Sequence, residues 1–297
     1  MIAGLAAIVL GIAPSQAGLI FHADYDTDPH SPVGSRTGTL QNSAQIFNGM
    51  LGGTGIDSTL NGSNQFVKYN NGIPVSGSAI RKTSVWVKSS GAAMTALGFG
   101  ANQNGQKWEL GFDANEKISI DGSNAMFAAL GAPAVNDGNW HLLTAVLPGP
   151  PNNWVGGTWL YVDGEFAGAR TLITGSNRAY NTSGTLFHVG AGVGSGSGSK
   201  FLSGLVDDAA VWDRILSGTE IRALSQLSTV AGLNAIAADA LFEAFNTNPR
   251  PETVEAGGQT WHRHDSGIGG ADGEVQQVGE NFSVNLGGGA GYVSGPR

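Results

Sequence analysis

The sequence predicts an all-β fold, a sandwich of two antiparallel sheets. The chain has 47 glycines among 297 residues, about twice the usual share. With Pro, Ser, Asn and Thr they interrupt it about every ten residues, which is typical of short strands joined by turns. Between the turns, many segments alternate apolar and polar residues, the period of a half-buried strand. The chain has a single helical pattern, Thr219–Leu227, with Ser217 as its predicted N-cap. Many short strands with one short helix predict two packed sheets.

The strands are predicted from alternation and from turn dipeptides. Ser84–Lys88 is the clearest, because two valines share one face and a tryptophan lies on the other. Asp163-Gly164 tolerates the positive φ angles of a tight turn, and it therefore predicts a hairpin between Thr158–Val162 and Glu165–Ala169. The remaining predicted strands are Gly18–Tyr25, Gln65–Tyr69, Met94–Phe99, Lys107–Phe112, Lys117–Ile120, His141–Leu147, Leu186–Val189 and the alternating stretch that begins at Phe201.

Composition excludes several classes of function. The formal net charge is −8, charged residues make up 13% of the chain, and no basic cluster is present. Phosphate neutralisation needs massed Lys and Arg, so nucleic acids and anionic membrane surfaces are excluded as partners. The chain has no cysteine, which excludes disulfides, thiolate metal sites and a cysteine nucleophile. An acidic, glycine-rich chain of low charge density suits a secreted β-protein and is compatible with divalent cations.

Residues 1–17 are predicted to be a secretory signal peptide. Ile2–Ala13 is an apolar run, Pro14 breaks it, and Ser15-Gln16-Ala17 supplies small residues before a cleavage point. The run is too short to span a bilayer, which needs about 20 apolar residues. The usual basic start is missing, so a buried first strand is the alternative. The signal predicts a secreted, extracellular or cell-surface protein without membrane insertion.

Three further segments follow. Residues 18–227 hold the predicted sandwich, and residues 228–240 are a small-residue linker. Residues 241–297 are predicted to be an incomplete β-rich segment. Within it, Leu241–Pro249 loosely echoes Ile20–Pro29, so the segment is interpreted as the start of a second module, with chance similarity as the alternative.

Three motifs occur in a fixed order along the sandwich. Asp137–Leu143 (Asp-Gly-Asn-Trp-His-Leu-Leu) is similar to the "DG-x-WH" strand of the laminin-G-like, concanavalin A-like jelly-roll family, and Leu160–Glu165 resembles its "LYVDG" hairpin. Gly204–Ile221 resembles its closing signature, a strand with an acidic pair followed by a helix start. The resemblance covers about residues 18–227. It implies a two-sheet jelly roll, commonly with one calcium ion at its rim.

The sequence departs from the family pattern in the closing signature. Val206 stands for the usual Ile and Asp208 for the usual Glu, and Ala209-Ala210 are smaller than the usual residues. The disulfide that many relatives carry near this end is impossible here.

Asp207, Asp24 and Asp26 are the predicted metal ligands, for a structural Ca²⁺. Calcium takes six to eight hard oxygen ligands from carboxylates, carbonyls and water. Asp24 ends the first predicted strand and Asp207 begins the last, and these two strands are expected to be neighbours in a jelly roll. The resemblance implies such a role for Asp207. The alternative is that these carboxylates are solvated charges at strand edges and turns.

Trp154, Asn153 and Trp159 are the predicted ligand-binding residues. They follow the proline-rich stretch Pro148–Pro151 and make this the most aromatic loop region of the chain. Aromatic rings stack against the apolar faces of sugars, and Asn side chains bond their hydroxyl groups. The alternative is that the two tryptophans pack in a core or turn.

No catalytic residue is predicted. Glycoside hydrolases of this fold need two carboxylates beside the scissile bond, which on one strand requires acidic residues at alternating positions. Asp113 and Asp121 do not have this spacing. His141 is interpreted as a packing residue. His262 and His264 share one face of a predicted strand, but they lack further zinc or copper ligands nearby and are interpreted as exposed.

These observations predict a secreted, non-enzymatic module that binds carbohydrate or extracellular matrix, or acts in adhesion at a surface. One alternative is a glycoside hydrolase or lyase with an unfamiliar catalytic pattern, which a convergent carboxylate pair in a groove would favour. Another is a structural component of an extracellular assembly, which a large self-contact would favour. The sequence identifies neither the ligand nor the oligomeric state.

Overall fold

The structure, a computed structural model, describes residues 18–47, 50–52, 60–194, 198–216 and 218–226, and five strands between residues 253 and 294. The chain divides into two compact units, Gly18–Leu233 and a second that contains the five C-terminal strands. The predicted signal peptide and linker lie outside the described residues. Among the described residues, no helix is long and apolar enough to cross a membrane.

The first unit is built almost entirely of short strands, as the glycine and turn pattern predicts. Its helical elements are a 3-10 turn at Val155–Gly157 and helix α1, Gly218–Gln226. In chain order the strands are β1 Leu19–Ala23, β2 Gly38–Gln41, β3 Gln45–Phe47, β4 Met50–Gly52, β5 Leu60–Asn61, β6 Phe66–Tyr69, β7 Arg81–Ser89, β8 Met94–Gly100, β9 Lys107–Phe112, β10 Ile118–Asp121, β11 Ala125–Ala128, β12 Trp140–Leu147, β13 Trp159–Val162, β14 Glu165–Phe166, β15 Thr171–Gly175, β16 Leu186–Val189 and β17 Ser203–Trp212.

These strands form two antiparallel sheets. Sheet I has the order β14-β13-β12-β7-β17-β4-β3, and β1 and β5 also pair with β17. Sheet II has the order β15-β11-β10-β9-β8-β16-β6-β2. The predicted two-sheet sandwich of the jelly-roll type is therefore confirmed.

The core lies between the sheets because one face of each strand is apolar. On β7, Val85 and Val87 face this core, while Trp86 packs against a second apolar cluster on the outer face of sheet I. Strands from both sheets meet at three aromatic rings. The ring centroid of Phe21 lies 4.8 Å from that of Tyr69 and 4.6 Å from that of Phe187, both in the edge-to-face geometry that aromatic pairs favour.

Arg81 is a buried cation whose three nitrogens each donate a hydrogen bond. Its guanidinium donates to Thr182 Oγ1 at 2.6 Å, to the Gly77 carbonyl at 2.8 Å and to the Ala79 carbonyl at 3.0 Å. It also lies over the ring of Trp108, 5.5 Å from its centroid. Burial lowers the pKa of Arg81 to about 10. These bonds make the start of β7 a fixed point of the fold, since an unpaired buried charge is strongly destabilising.

Helix α1 covers the outer face of sheet I. Ile221 and Leu224 of the helix are buried with Trp212 of β17 and Leu142 of β12. The helix begins one residue before the predicted segment and ends one residue before its predicted end. Its predicted cap, Ser217, lies outside the described residues.

The second unit contains a five-stranded antiparallel sheet. Its order is β18-β19-β22-β21-β20. His262 and His264 belong to β19, but their side chains lie outside the described part of the chain. The strands are β18 Thr253–Ala256, β19 Gln259–His264, β20 Val275–Val278, β21 Asn281–Asn285 and β22 Tyr292–Ser294.

Two of the sequence motifs are joined by one histidine. His141 Nδ1 lies 2.8 Å from Asp163 Oδ2, and His141 Nε2 lies 3.1 Å from Asp137 Oδ1. The other Asp163 oxygen accepts the Leu142 N–H at 2.7 Å. Asp163 has φ 53° and Gly164 φ 84°, the positive values that the hairpin turn requires. His141 therefore fastens the β13–β14 turn to the start of β12.

We expect the contribution of His141 to stability to fall as the pH rises. Its hydrogen bond to Asp163 raises its pKa, burial opposes this, and Asp137 adds to the increase. A raised folded-state pKa means that the stabilisation is complete below about pH 6.5 and is lost as the pH passes the raised value. His141→Gln should lower the free energy of unfolding in urea by about 1 kcal/mol or less near pH 6, and by less near pH 9. An equal loss at both pH values would contradict this.

Candidate functional site

Trp154 is a large side chain that the fold leaves in solvent. It is 46% exposed and lies on the loop before the 3-10 turn. The main chain of this loop is attached to residues 178–180 by hydrogen bonds from Val155 N to the Arg178 carbonyl and from Tyr180 N to the Asn153 carbonyl, both 2.8 Å. Trp154 itself forms an antiparallel bridge with Ala179. The exposed ring therefore stands on an anchored backbone.

Polar side chains surround the next turn of this loop. Gly156 N donates to Asn177 Oδ1 at 3.0 Å, and the Gly156 carbonyl accepts Arg170 Nε at 3.2 Å. Leu172, 41% exposed, pairs with Phe127 of β11, and the Phe127 ring lies against Gly156. We call the set Asn153, Trp154, Arg170, Leu172 and Asn177 the Trp154 rim.

The rim combines an apolar surface with hydrogen-bond donors. A guanidinium carries five N–H donors and a side-chain amide two, and the bonds to Gly156 use one donor of Arg170 and none of Asn177. A loop that carries an exposed indole and is bonded to such donors suits a ligand with an apolar face and a hydroxylated edge.

The structure separates the two predicted tryptophans. Asn153 and Trp154 lie together in the rim. Trp159 lies on β13, where it is half-buried against the apolar cluster beneath helix α1. Arg170, Leu172 and Asn177 are rim residues that the sequence reasoning missed, because nothing in their own segments connects them with the Trp154 loop.

The three predicted metal ligands lie close enough to interact electrostatically. Burial raises the pKa of Asp207 to about 7, and the neighbouring Asp208, Asp26 and Asp24 carboxylates add to the effect. This placement follows from the pairing of β1 with β17, in which Ala23 lies opposite Ala209. Negative charge is therefore concentrated where β1 ends.

Asp208, the neighbour of Asp207, pairs with a histidine. The pairing of β17 with β7 shifts register between Asp207 and Ala210, and Asp208 has φ 43°. Its carboxylate is buried and lies 2.8 Å from His22 Nε2. The irregularity thus gives the adjacent aspartates different surroundings.

The acidic group provides some of the ligands that calcium requires. Its carboxylate oxygens are hard donors of the type that calcium prefers. In the described ranges, however, no three His, Asp or Glu side chains are grouped closely enough to hold a metal ion. The remaining ligands would have to be main-chain carbonyls and water.

A separate pair of carboxylates lies on the outer face of sheet II. Glu109 of β9 is directly opposite Asp121 of β10. Lys107 Nζ lies between them, 3.0 Å from Glu109 Oε2 and 3.1 Å from Asp121 Oδ2. Lys200 Nζ lies 2.6 Å from Asp121 Oδ2 and 3.8 Å from Glu109 Oε2. We call these four residues the charged ladder.

Both carboxylates of the charged ladder act as acceptors. The second oxygen of Glu109 accepts Val193 N at 2.9 Å, and that of Asp121 accepts Ser123 N at 2.7 Å. Burial works to raise the pKa of Asp121, but Lys200 and Lys107 outweigh it and hold the pKa below its usual value. The sequence reasoning missed this pair because it looked for acidic residues along one strand, whereas the pair spans two.

Comparisons with known proteins agree with this fold. A family model described as the concanavalin A-like lectin/glucanases superfamily matches residues 58–222. No curated protein matches the sequence.

Three solved structures from different proteins are similar to this chain. Domain 4 of a GH43 extracellular arabinanase from Geobacillus stearothermophilus, solved with arabinotriose, is 19% identical; the match covers 71% of this chain and 99% of that one, with a TM-score of 0.49. A botulinum neurotoxin serotype D/C binding domain is 12% identical; the match covers 70% of this chain and 52% of that one, with a TM-score of 0.46. Trypanosoma rangeli sialidase is 16% identical; the match covers 70% of this chain and 32% of that one, with a TM-score of 0.45.

The family match spans more than half of the chain, from β5 to helix α1. It includes the motifs at Asp137–Leu143 and Leu160–Glu165 and the whole of the closing signature, Gly204–Ile221. The chain belongs to the concanavalin A-like lectin/glucanase superfamily.

Proposed function

We propose that this protein is a non-enzymatic extracellular or cell-surface module that binds carbohydrate at the Trp154 rim. The observation that carries the proposal is the exposed indole of Trp154 on a loop anchored to residues 178–180. Because the main chain of the loop is anchored, binding needs to order little more than the Trp154 side chain, so more of the contact energy is available for affinity.

The rim residues have distinct roles in this proposal. Trp154 provides the surface on which a sugar ring stacks, and Leu172 extends the apolar area. Asn177 and Arg170 donate hydrogen bonds to sugar hydroxyls, and the Asn153 side chain adds an amide. Trp159, on the outer face of sheet I, is not part of the proposed contact.

The alternative function, hydrolysis of a glycan, is suggested by the opposed carboxylates of Glu109 and Asp121. A glycoside hydrolase needs one carboxyl group that stays protonated as the general acid. Asp121 is held ionised by two lysines, and each oxygen of Glu109 already accepts a hydrogen bond. We therefore favour binding over catalysis.

We further propose a structural calcium ion held by Asp207 and Asp24, with Asp26 beside them. Support comes from the concentration of carboxylates around Asp207, which a divalent cation would neutralise, and from their hard oxygen donors. By linking the end of β1 to β17, the ion would stabilise the sandwich without taking part in chemistry.

Removal of the Trp154 ring should weaken glycan binding. After a glycan array identifies a ligand, we expect Trp154→Ala to weaken binding by about tenfold or more, the loss of about 1.4 kcal/mol that an aromatic contact supplies. Trp154→Phe should retain part of the affinity. Phe166→Ala is the matched control, since Phe166 is 55% exposed at the edge of sheet I. Unchanged binding by Trp154→Ala, or no glycan bound by the wild type, would refute the proposal.

The protein should not cleave the glycans that it binds. We expect no new reducing ends when the wild type is incubated with its oligosaccharide ligand, because neither ladder carboxylate is placed to donate a proton. Release of reducing ends that disappears in Glu109→Gln or Asp121→Asn would instead identify a hydrolase.

Calcium should raise the melting temperature, and Asp207 should be required for the effect. A ligand that binds only the folded state at 100 times its Kd adds about 2.7 kcal/mol of stability. Asp207→Asn should melt above the wild type in chelator, because it removes one of several neighbouring negative charges, and it should not respond to calcium. Glu116→Gln is an exposed charge-matched control. Identical wild-type melting curves in calcium and in chelator would refute the proposal of a structural calcium ion.

A further inference from the structure

A cleft lies over the charged ladder on the outer face of sheet II. Its volume is about 260 Å³, at or below the lower end of ordinary ligand pockets, so it suits a ligand of about one ring. Met94, Met126 and Ile173 line its apolar part, and Ser119 and Thr174 add hydroxyl groups. Methionine side chains adapt their shape to a ligand.

The floor of the cleft is charged but internally neutralised. Glu109 lines the cleft and pairs with Lys107. The side chains of Lys107 and Glu109 are only 8% and 1% exposed, so their charges are fixed by the protein. Asp113 also lines the cleft, and both of its oxygens accept hydrogen bonds from Asn115. Each carboxylate in the lining therefore already accepts hydrogen bonds, although a carboxylate has about four acceptor sites in all.

Lys200 is the ladder residue that reaches solvent. Its side chain is 40% exposed, and its backbone has φ 46°, an uncommon value for a residue with a side chain. Its carbonyl accepts Thr95 N at 2.9 Å, which helps to hold this conformation. An ammonium group has three donors, and the described residues provide one hydrogen-bond acceptor for it, Asp121 Oδ2.

The arrangement of charges selects against charged ligands. An anion in the cleft would face Glu109, Asp113 and Asp121, and a cation would face Lys200. Burying a charge beside a like charge is unfavourable. A neutral hydroxylated ligand meets neither penalty.

Lys200 and Asp121 present a donor and an acceptor side by side. Two adjacent hydroxyl groups match such a pair, because one accepts from the ammonium while its neighbour donates to the carboxylate, and hydrogen bonds to charged partners are the stronger ones. The apolar carbons of the ring would then lie against Met94 and Met126.

We propose that this cleft is a separate binding site for an uncharged ring that carries a vicinal diol, such as a neutral pyranose. The site is built from β8–β11, β15 and Lys200, and it does not use Trp154. It therefore stands or falls independently of the proposed function of the rim.

The four methionines of the chain allow a direct test. In protein labelled with ¹³C at the methionine methyl groups, titration with methyl pyranosides of glucose, galactose, mannose and xylose should shift the Met94 and Met126 signals. Met50 serves as an internal reference. Glucuronate and glucosamine should bind at least about tenfold more weakly.

Variants of the charged ladder test whether its residues bind the sugar that shifts the methionine signals. Lys200→Gln and Asp121→Asn should each weaken binding by about tenfold, while their circular dichroism melts report whether they fold. Trp154→Ala should retain the shifts, which separates this site from the rim. The proposal is overturned if no neutral pyranoside moves Met94 and Met126, if a charged sugar binds more tightly than the neutral ones, or if a folded Lys200→Gln binds like the wild type.

Discussion

Strand β17 is the constraint on which the rest of the sandwich depends. It hydrogen-bonds to β1, β4, β5 and β7, so it joins the first strand of the domain to the centre of sheet I. The partners are distant in sequence: the His22–Asp208 contact spans 186 residues. Sheet I therefore cannot be completed until the end of the domain is available, which is a slow, non-local step in folding.

The irregularity within β17 decides the chemistry at that end of the sandwich. Its register shift buries Asp208 against His22 and leaves Asp207 beside the carboxylates that follow β1. The two adjacent aspartates therefore have different roles. Asp208 pairs with His22 and helps to hold β1 in place, whereas Asp207 adds to the negative charge at the end of β1. Helix α1, which follows β17, then covers the outer face of the same sheet.

Much of the fold is predictable because its signals are local. Alternation identifies β7 with its inward valines, and Asp163-Gly164 identifies the β13–β14 turn. The strand predicted at Lys117–Ile120 is found one residue later. By contrast, β2 to β5 lie in a stretch rich in turn residues, where strands of two to four residues are too short to produce a period. Their conformation depends on pairing with distant partners.

The candidate sites were less predictable because they depend on register. Period-two alternation says which face a side chain occupies, but not which residue of another strand lies opposite. The Glu109–Asp121 pair is visible only once β9 and β10 are aligned. The Trp154 rim likewise needs the contact between its loop and residues 177–180. Local sequence patterns therefore predict the lectin-like fold, but they do not predict which polar side chains lie next to each other.

An NMR spectrum of the indole N–H groups tests carbohydrate recognition by the rim most directly. Of the seven tryptophans, Trp154 has a ring exposed to solvent, whereas Trp108 and Trp212 are buried. With saturating glycan ligand, the Trp154 signal, assigned from Trp154→Phe, should move while those of Trp108 and Trp212 stay in place. A glycan that binds without moving the Trp154 signal would show that the carbohydrate is recognised elsewhere.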